Sequence, residues 1–214
     1  KTKFVFICMY RGTFHIIAGT TCSGKDALIR GTLQLPNTAP GVLYTTRKPR
    51  NEDESQGIVF VDEREFEKKR CRGELHFPYT RNCVQYGLGL DEIATKCDSG
   101  KDVLLGSTNI PRIPDIVREM VRREIRTYST LVFSDRKSLL ARLKSRRLLP
   151  KDGQARLRQI NEDIRYLLSM EFNPEIFNYF IYNGDDRPLE DSIHDFAMIV
   201  RNGRGEASDE EVAY

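Results

Sequence analysis

The sequence predicts an α/β fold, a parallel sheet flanked by helices. Two observations lead there. Short apolar runs suited to strands alternate with helical stretches along most of the chain. A glycine-containing turn, Gly19-Thr20-Thr21-Cys22-Ser23-Gly24-Lys25, stands between the run at 14–18 and a helix that begins at Asp26. In chain order, residues 4–10 and 14–18 suit buried strands. The helix at 26–30 cannot pass far beyond Gly31 and Pro36. Residues 41–46 read as extended, and Pro49 then pushes its predecessor out of helical space. A polar loop at 51–56 is closed by Gly57, before a strand at 58–61 and a charged helix at 62–72. A helix at 91–97 stops at Gly100. Further strands are expected at 103–105, 130–133 and 177–182. Further helices are expected at 113–121, 137–147, 154–170 and 188–200. Leu149-Pro150-Lys151-Asp152-Gly153 separates two of these helices. Residues 1–200 read as one domain, and 201–214 as a polar tail, frayed from Asn202.

Composition limits the function classes. Of 214 residues 39% are apolar, enough for a core, and a net charge of +3 gives no support for a whole-surface nucleic-acid binder. No apolar run approaches the roughly 18 residues of a membrane span, and no secretory leader is expected. The five cysteines, Cys8, Cys22, Cys71, Cys83 and Cys97, are odd in number and form no CxxC pair. Free thiols in a reducing, cytoplasmic setting are therefore expected, without a disulfide framework or structural zinc.

The turn at Gly19 fits G-x-x-x-x-G-K with a strand before it and a helix after it, the P-loop pattern that binds a nucleotide. Its glycines let backbone amides turn toward a phosphate, and the following helix adds its positive end. Lys25 supplies charge to a transferring phosphoryl group. Gly19, Thr20, Thr21, Cys22, Ser23, Gly24, Lys25 and Asp26 are the expected ATP-binding residues. The pattern places Ser or Thr after the lysine to ligate Mg²⁺; here Asp26 stands there, and Asp26 and Ser23 are the metal-side candidates. Further on, Arg47 and Arg50 bracket Pro49. Two guanidinium forks can clamp one phosphate dianion, although a solvated basic turn has the same composition.

Taken together and in order, these pieces resemble the guanylate kinase family. The resemblance is carried by the loop at 19–25, Thr45-Thr46-Arg47-Lys48-Pro49-Arg50, Gly57, Phe60-Val61-Asp62-Glu63-Arg64-Glu65-Phe66, and Gln85-Tyr86-Gly87. It continues through Arg142-Leu143-Lys144-Ser145-Arg146, Arg156-Leu157 and Phe180-Ile181-Tyr182-Asn183. It implies a guanylate kinase-like P-loop fold with an acceptor-binding insertion at about 45–90 and a lid at about 142–158. It also implies that Arg47, Arg50 and Tyr86 grip an acceptor phosphate, that Arg142, Arg146 and Arg156 close over ATP, and that the Asn183 region flanks the adenine.

The residues that read guanine in that family are replaced. Leu75-His76-Phe77-Pro78 stands where a Glu is expected, Leu88 replaces a hydroxyl after Gly87, and Gly106-Ser107-Thr108 replaces an acidic strand end. Leu43 stands where a Ser is expected, and Ile58 or Val59 where an aromatic is expected. A polar base edge buried without partners costs roughly 1–3 kcal/mol per group, so GMP is disfavoured unless His76, Thr108 or Asn109 supplies other contacts. Gly24-Lys25-Asp26, Tyr86-Gly87-Leu88-Gly89, and Val103-Leu104-Leu105-Gly106-Ser107 with Ile113-Pro114 resemble instead the ribose 1,5-bisphosphate phosphokinases. That family phosphorylates a phosphorylated sugar. Arg50 resembles guanylate kinase more closely, and the acceptor stays open between the two.

The expected function is an ATP- and Mg²⁺-dependent kinase acting on the phosphate of a small phosphorylated acceptor. Its site is Lys25, Arg47, Arg142, Arg146 and Arg156, with Arg50, Tyr86, His76 and Thr108 toward the acceptor. The partners are small molecules, with no nucleic acid or membrane and with the oligomeric state open. A non-catalytic binding module and a P-loop NTPase or switch with a vestigial acceptor site are the alternatives. Elsewhere, His15 reads as a core or edge histidine, Cys22 as a small filler, and Asp98 and Asp102 as loop solvation. Glu162 and Asp163 either orient lid arginines or form a solvated face.

Overall fold

The computed structural model describes residues 11–49, 56–146 and 150–205, and the backbone alone of Lys151. The strand expected at 4–10, Cys8, Arg50 and most of the loop at 51–56 lie outside the described residues. Strand β1 (Phe14–Ala18) is apolar but for His15 and wholly buried. It pairs in parallel with β7 (Asp102–Ser107) on one side and β8 (Thr127–Phe133) on the other. Strands β2 (Thr38–Pro40) and β9 (Tyr179–Tyr182) form the edges, giving the order β2-β7-β1-β8-β9.

Side chains alternate across this sheet and build two cores. Phe14, Ile16, Val103 and Leu105 pack with α3 (Leu90–Asp98) and α4 (Ile113–Arg122). Ile17, Leu104, Val132 and Ile181 pack with α1 (Lys25–Thr32) and α7 (Leu189–Arg204). Among the described residues no helix is long and apolar enough to cross a membrane.

A second sheet lies within the expected acceptor insertion. Strands β3 (Leu43–Thr45), β4 (Ile58–Phe60), β5 (His76–Arg81) and β6 (Val84–Leu88) take the order β4-β3-β6-β5. Helix α2 (Glu63–Cys71) is capped by Asp62, which accepts from the Glu65 amide at 2.7 Å, and buries one residue, Phe66. The segment expected to be extended over 41–46 forms a strand over Leu43–Thr45, in the second sheet. Residues 38–40, where no strand was expected, take an edge of the main sheet, where Pro40 needs no ladder donor. The β5–β6 hairpin stands where the sequence reading placed no element. Its turn residues Asn82 and Cys83 both have positive φ, 52° and 60°, which matches the right-handed twist of the strands.

The expected lid region falls on α5 (Arg136–Ser145) and α6 (Pro150–Leu167). The break expected at 149–153 is instead largely the first turn of α6. Proline at the first helical position loses no intrahelical bond, and an interior glycine such as Gly153 costs only about 1 kcal/mol.

Two further expectations are corrected at the opposite end of the molecule. Helix α7 runs on through Arg204, beyond the start of the expected frayed tail. Asp102 is fully buried and is not loop solvation. The Arg204 guanidinium donates to Asp102, and Thr13 donates to it from its amide (2.8 Å) and hydroxyl (2.6 Å). His15 joins this cluster through a 2.8 Å contact between its Nε2 and Thr13 Oγ1, and stacks on Tyr128. Burial drives its pKa from 6.5 down to about 4.

Candidate phosphoryl-transfer site

The phosphate loop leaves the carboxyl end of β1, the central strand of the main sheet, where crevices in open α/β folds bind ligands. Gly24 precedes α1 with φ 97°, a conformation that suits glycine. A Cβ there would also drive into the Asn183 side chain. Asn183 is 1% exposed and donates from Nδ2 to the Ser23 carbonyl at 2.8 Å. Its side chain is therefore a strut behind the loop, turned away from any open face. Cys22 takes φ 69° and packs with Leu139 of α5 and Ile160 of α6, which anchors the loop to both lid helices.

Lys25 is 6% exposed. Its ammonium donates to the Thr20 carbonyl at 2.7 Å and lies 3.4 Å from Ser23 Oγ. Burial lowers its pKa, while Asp26 and Asp163 oppose that fall. The amides of Gly24, Lys25 and Asp26 have no hydrogen-bond partner among the described residues. The hydroxyls of Thr20 and Thr21 are buried and unpartnered too. A desolvated cation, open helix-terminal amides and orphaned hydroxyls fit an anion with several oxygens.

Asp26 is exposed in the first turn of α1, with Oδ1 beside Gly106 at the carboxyl end of β7. Ser23 is buried against Lys25. Among the described residues no group of three or more His, Cys, Asp or Glu gathers to hold a metal alone. Asp26 and Ser23 offer one carboxylate and one hydroxyl, the oxygen donors that suit a Mg²⁺ ion also held by phosphate and water.

Two lid arginines reach this loop. Arg142 pairs with Asp185 at 3.0 Å and directs Nη1 at the Cys22 carbonyl (3.5 Å) and Ser134 Oγ (3.4 Å). Arg146 is exposed and close enough to Lys25 to lower its pKa. Arg156 is half-buried on α6 and has no ion pair among the described residues.

On the second sheet, Arg47 lies over the Phe60 ring, 5.3 Å from its centroid, and donates to the Lys48 carbonyl. Tyr86 stacks on Tyr79 at 5.1 Å. Thr46 exchanges hydrogen bonds with Gln85, which docks the arginine loop on β6. Two expected acceptor contacts are already engaged. His76 meets Arg123 at 2.9 Å, and Arg123 also pairs with Asp91 and Glu119. Thr108 accepts from Arg81 at its carbonyl (3.1 Å) and hydroxyl (3.4 Å).

The sequence reading missed Arg81 altogether and left Asp163 undecided. Asp163 is buried where its neighbour Glu162 is exposed, and it binds Arg81 at 3.0 Å. The available signal was an arginine beside Asn82, a residue that tolerates left-handed turns.

Sheet order, phosphate loop and lid define an α/β P-loop architecture of the guanylate kinase-like type. No family model and no curated protein matches the chain. Among solved structures, the guanylate kinase of Anaplasma phagocytophilum superposes with a TM-score of 0.62 at 19% identity, covering 91% of this chain and 87% of that one. A sugar kinase from a Janibacter species gives a TM-score of 0.47 at 14% identity, over 92% of this chain and 99% of that one. The first likeness shows the fold; the chemistry has to be argued from the site.

Proposed function

We propose that this protein is an ATP-dependent phosphotransferase that moves the γ-phosphate onto the phosphate of a small phosphorylated acceptor. The observation that carries this reading is the desolvated Lys25 in an open amide cradle beside unpartnered loop hydroxyls, and the basic residue Arg47 just after β3 supports it. Phosphoryl transfer asks mainly for alignment and charge neutralisation. Mg²⁺-ATP supplies the phosphoryl group and part of the neutralising charge. Lys25 leaves the Thr20 carbonyl for a phosphate oxygen, Arg142 and Arg146 add charge from the lid, and Arg47, Arg50 and Tyr86 orient the acceptor phosphate. Asp26 and Ser23 are the metal-side residues. An anionic acceptor needs no general base.

The acceptor favoured is ribose 1,5-bisphosphate over GMP. His76 and Thr108, two of the three side chains left to read a guanine edge, are held by Arg123 and Arg81. The deciding measurement is ADP release from Mg²⁺-ATP with GMP, dGMP, AMP, UMP, dTMP or ribose 1,5-bisphosphate present. Stimulation by the sugar bisphosphate is expected. Stimulation by GMP would reverse the acceptor assignment. Hydrolysis indifferent to every acceptor would make the protein an NTPase, and no turnover at all would make it a binding module.

A further inference from the structure

Three elements that belong to different parts of the site meet at one ion pair. Arg81 ends β5 at the tip of the acceptor hairpin. Its Nη1 holds the Thr108 carbonyl and hydroxyl beyond the end of β7, and its Nη2 holds Asp163 Oδ1 on α6. Asp163 sits three residues beyond Ile160, which packs on Cys22 of the phosphate loop. The carboxylate is close enough to Thr21 and Lys25 to feel both. Its second oxygen, Oδ2, is buried with no hydrogen-bond partner, and the residue is only 7% exposed.

A buried carboxylate that spends one oxygen on the hairpin and turns the other toward the Thr21 amide and Lys25 without completing a hydrogen bond is costly as mere scaffolding. Arg81 is 25% exposed in its side chain and lies between the second sheet and the core. It thus joins the hairpin tip to α6, and α6 packs on the loop through Ile160 and Cys22.

We propose that Arg81 and Asp163 are a positioning pair that ties the acceptor hairpin to the phosphate loop, so that filling either substrate site pre-forms the other. The proposal builds on the kinase reading above. Neither residue is assigned contact with the reacting atoms. The consequence is reciprocal coupling: acceptor and nucleotide each tighten the other's binding by the same factor.

The test is calorimetric titration of GMP and of ribose 1,5-bisphosphate, with and without a saturating β,γ-methylene ATP analogue and Mg²⁺. In the wild type the Kd of whichever acceptor binds is expected to fall at least fivefold with the analogue present, within the usual range of about 5–150-fold. In Arg81→Ala and in Asp163→Asn the ratio should drop to within twofold. The double variant should lose no more than either single, and Arg81→Lys should recover part of the coupling. Amide hydrogen exchange over residues 76–88 and over α6 supplies a readout independent of turnover. Both segments should exchange faster together in either variant. A wild type without coupling, single effects that add in the double variant, or exchange that rises in the mutated element alone would overturn the proposal. Should the wild type bind no acceptor and turn over no ATP, the kinase reading fails, and the exchange experiment still decides whether the pair ties hairpin to α6.

Discussion

The main sheet has a buried polar cluster at each end, and the two are built on opposite plans. At the amino end, Asp102 receives Arg204 and both donors of Thr13, and His15 meets Thr13 Oγ1 and stacks on Tyr128. Charge there is met by opposite charge. At the carboxyl end, Lys25 is held only by a carbonyl and a hydroxyl, loop amides stand open, and hydroxyls of Thr20 and Thr21 and one oxygen of Asp163 have no partner. Similar burial therefore serves different ends. The bonds among Asp102, Arg204 and Thr13 tie helix α7 to the sheet and leave His15 Nδ1 unpartnered beside them, whereas the open groups at the loop surround a cation and keep their capacity for an anion.

The largest expected effect breaks the amino-end cluster. Arg204→Met leaves the Asp102 carboxylate buried without its cation, which typically costs about 3–5 kcal/mol. Urea unfolding should show that loss, while the nucleotide affinity of the folded remainder stays unchanged. A change under about 1 kcal/mol would mean the cluster is not structural.

The same experiment at the other end should give the opposite sign. Lys25→Met removes a desolvated ammonium, so stability should hold or rise. ADP release should fall about 10²–10³-fold, the usual scale for losing one preorganised charge-stabilising group. A variant equally destabilised and still active would erase the contrast between the two ends.

His15 makes the amino-end cluster sensitive to pH. Its folded pKa of about 4 lies below the unfolded 6.5, so the unfolded chain binds the extra proton between those values. Stability should then be complete above about pH 6.5 and decline by up to about 3 kcal/mol as pH falls to 4. His15→Gln should flatten that slope in unfolding curves taken across the range. An unchanged slope would assign the pH dependence to other groups.

What the sequence revealed follows the same division. The main sheet was legible because β1, β8 and β9 are apolar runs, and the loop was legible because G-x-x-x-x-G-K has a strict spacing. The β5–β6 hairpin was hidden because Pro78 interrupts the strand pattern and the turn is Asn82-Cys83 in place of a glycine pair. Arg81 was lost with it. Asp102 was misread because local sequence shows an acidic residue beside Gly100, and its partner Arg204 lies 102 residues away. Partners brought together by topology leave no local pattern, which is also why Asp163 and Glu162 could not be told apart until one faced inward.

The finest comparison lies between neighbours behind the loop. Asn183 is buried and supplies the Ser23 carbonyl with its donor, so Asn183→Ala should cost about 1–3 kcal/mol and weaken nucleotide binding with it. Asp185, two residues on, is half-exposed and holds Arg142 by a surface ion pair. Asp185→Asn should change stability by less than about 1 kcal/mol. Its effect should appear in the nucleotide instead: Arg142, released from Asp185, becomes freer to meet phosphate, and the KM for ATP should shift a few-fold while kcat for a saturated enzyme moves little. Equal stability losses in the two variants would mean that the Arg142–Asp185 pair is part of the scaffold. A KM change in Asp185→Asn without a loss of stability would place Arg142 among the groups that the loop keeps in reserve for its ligand.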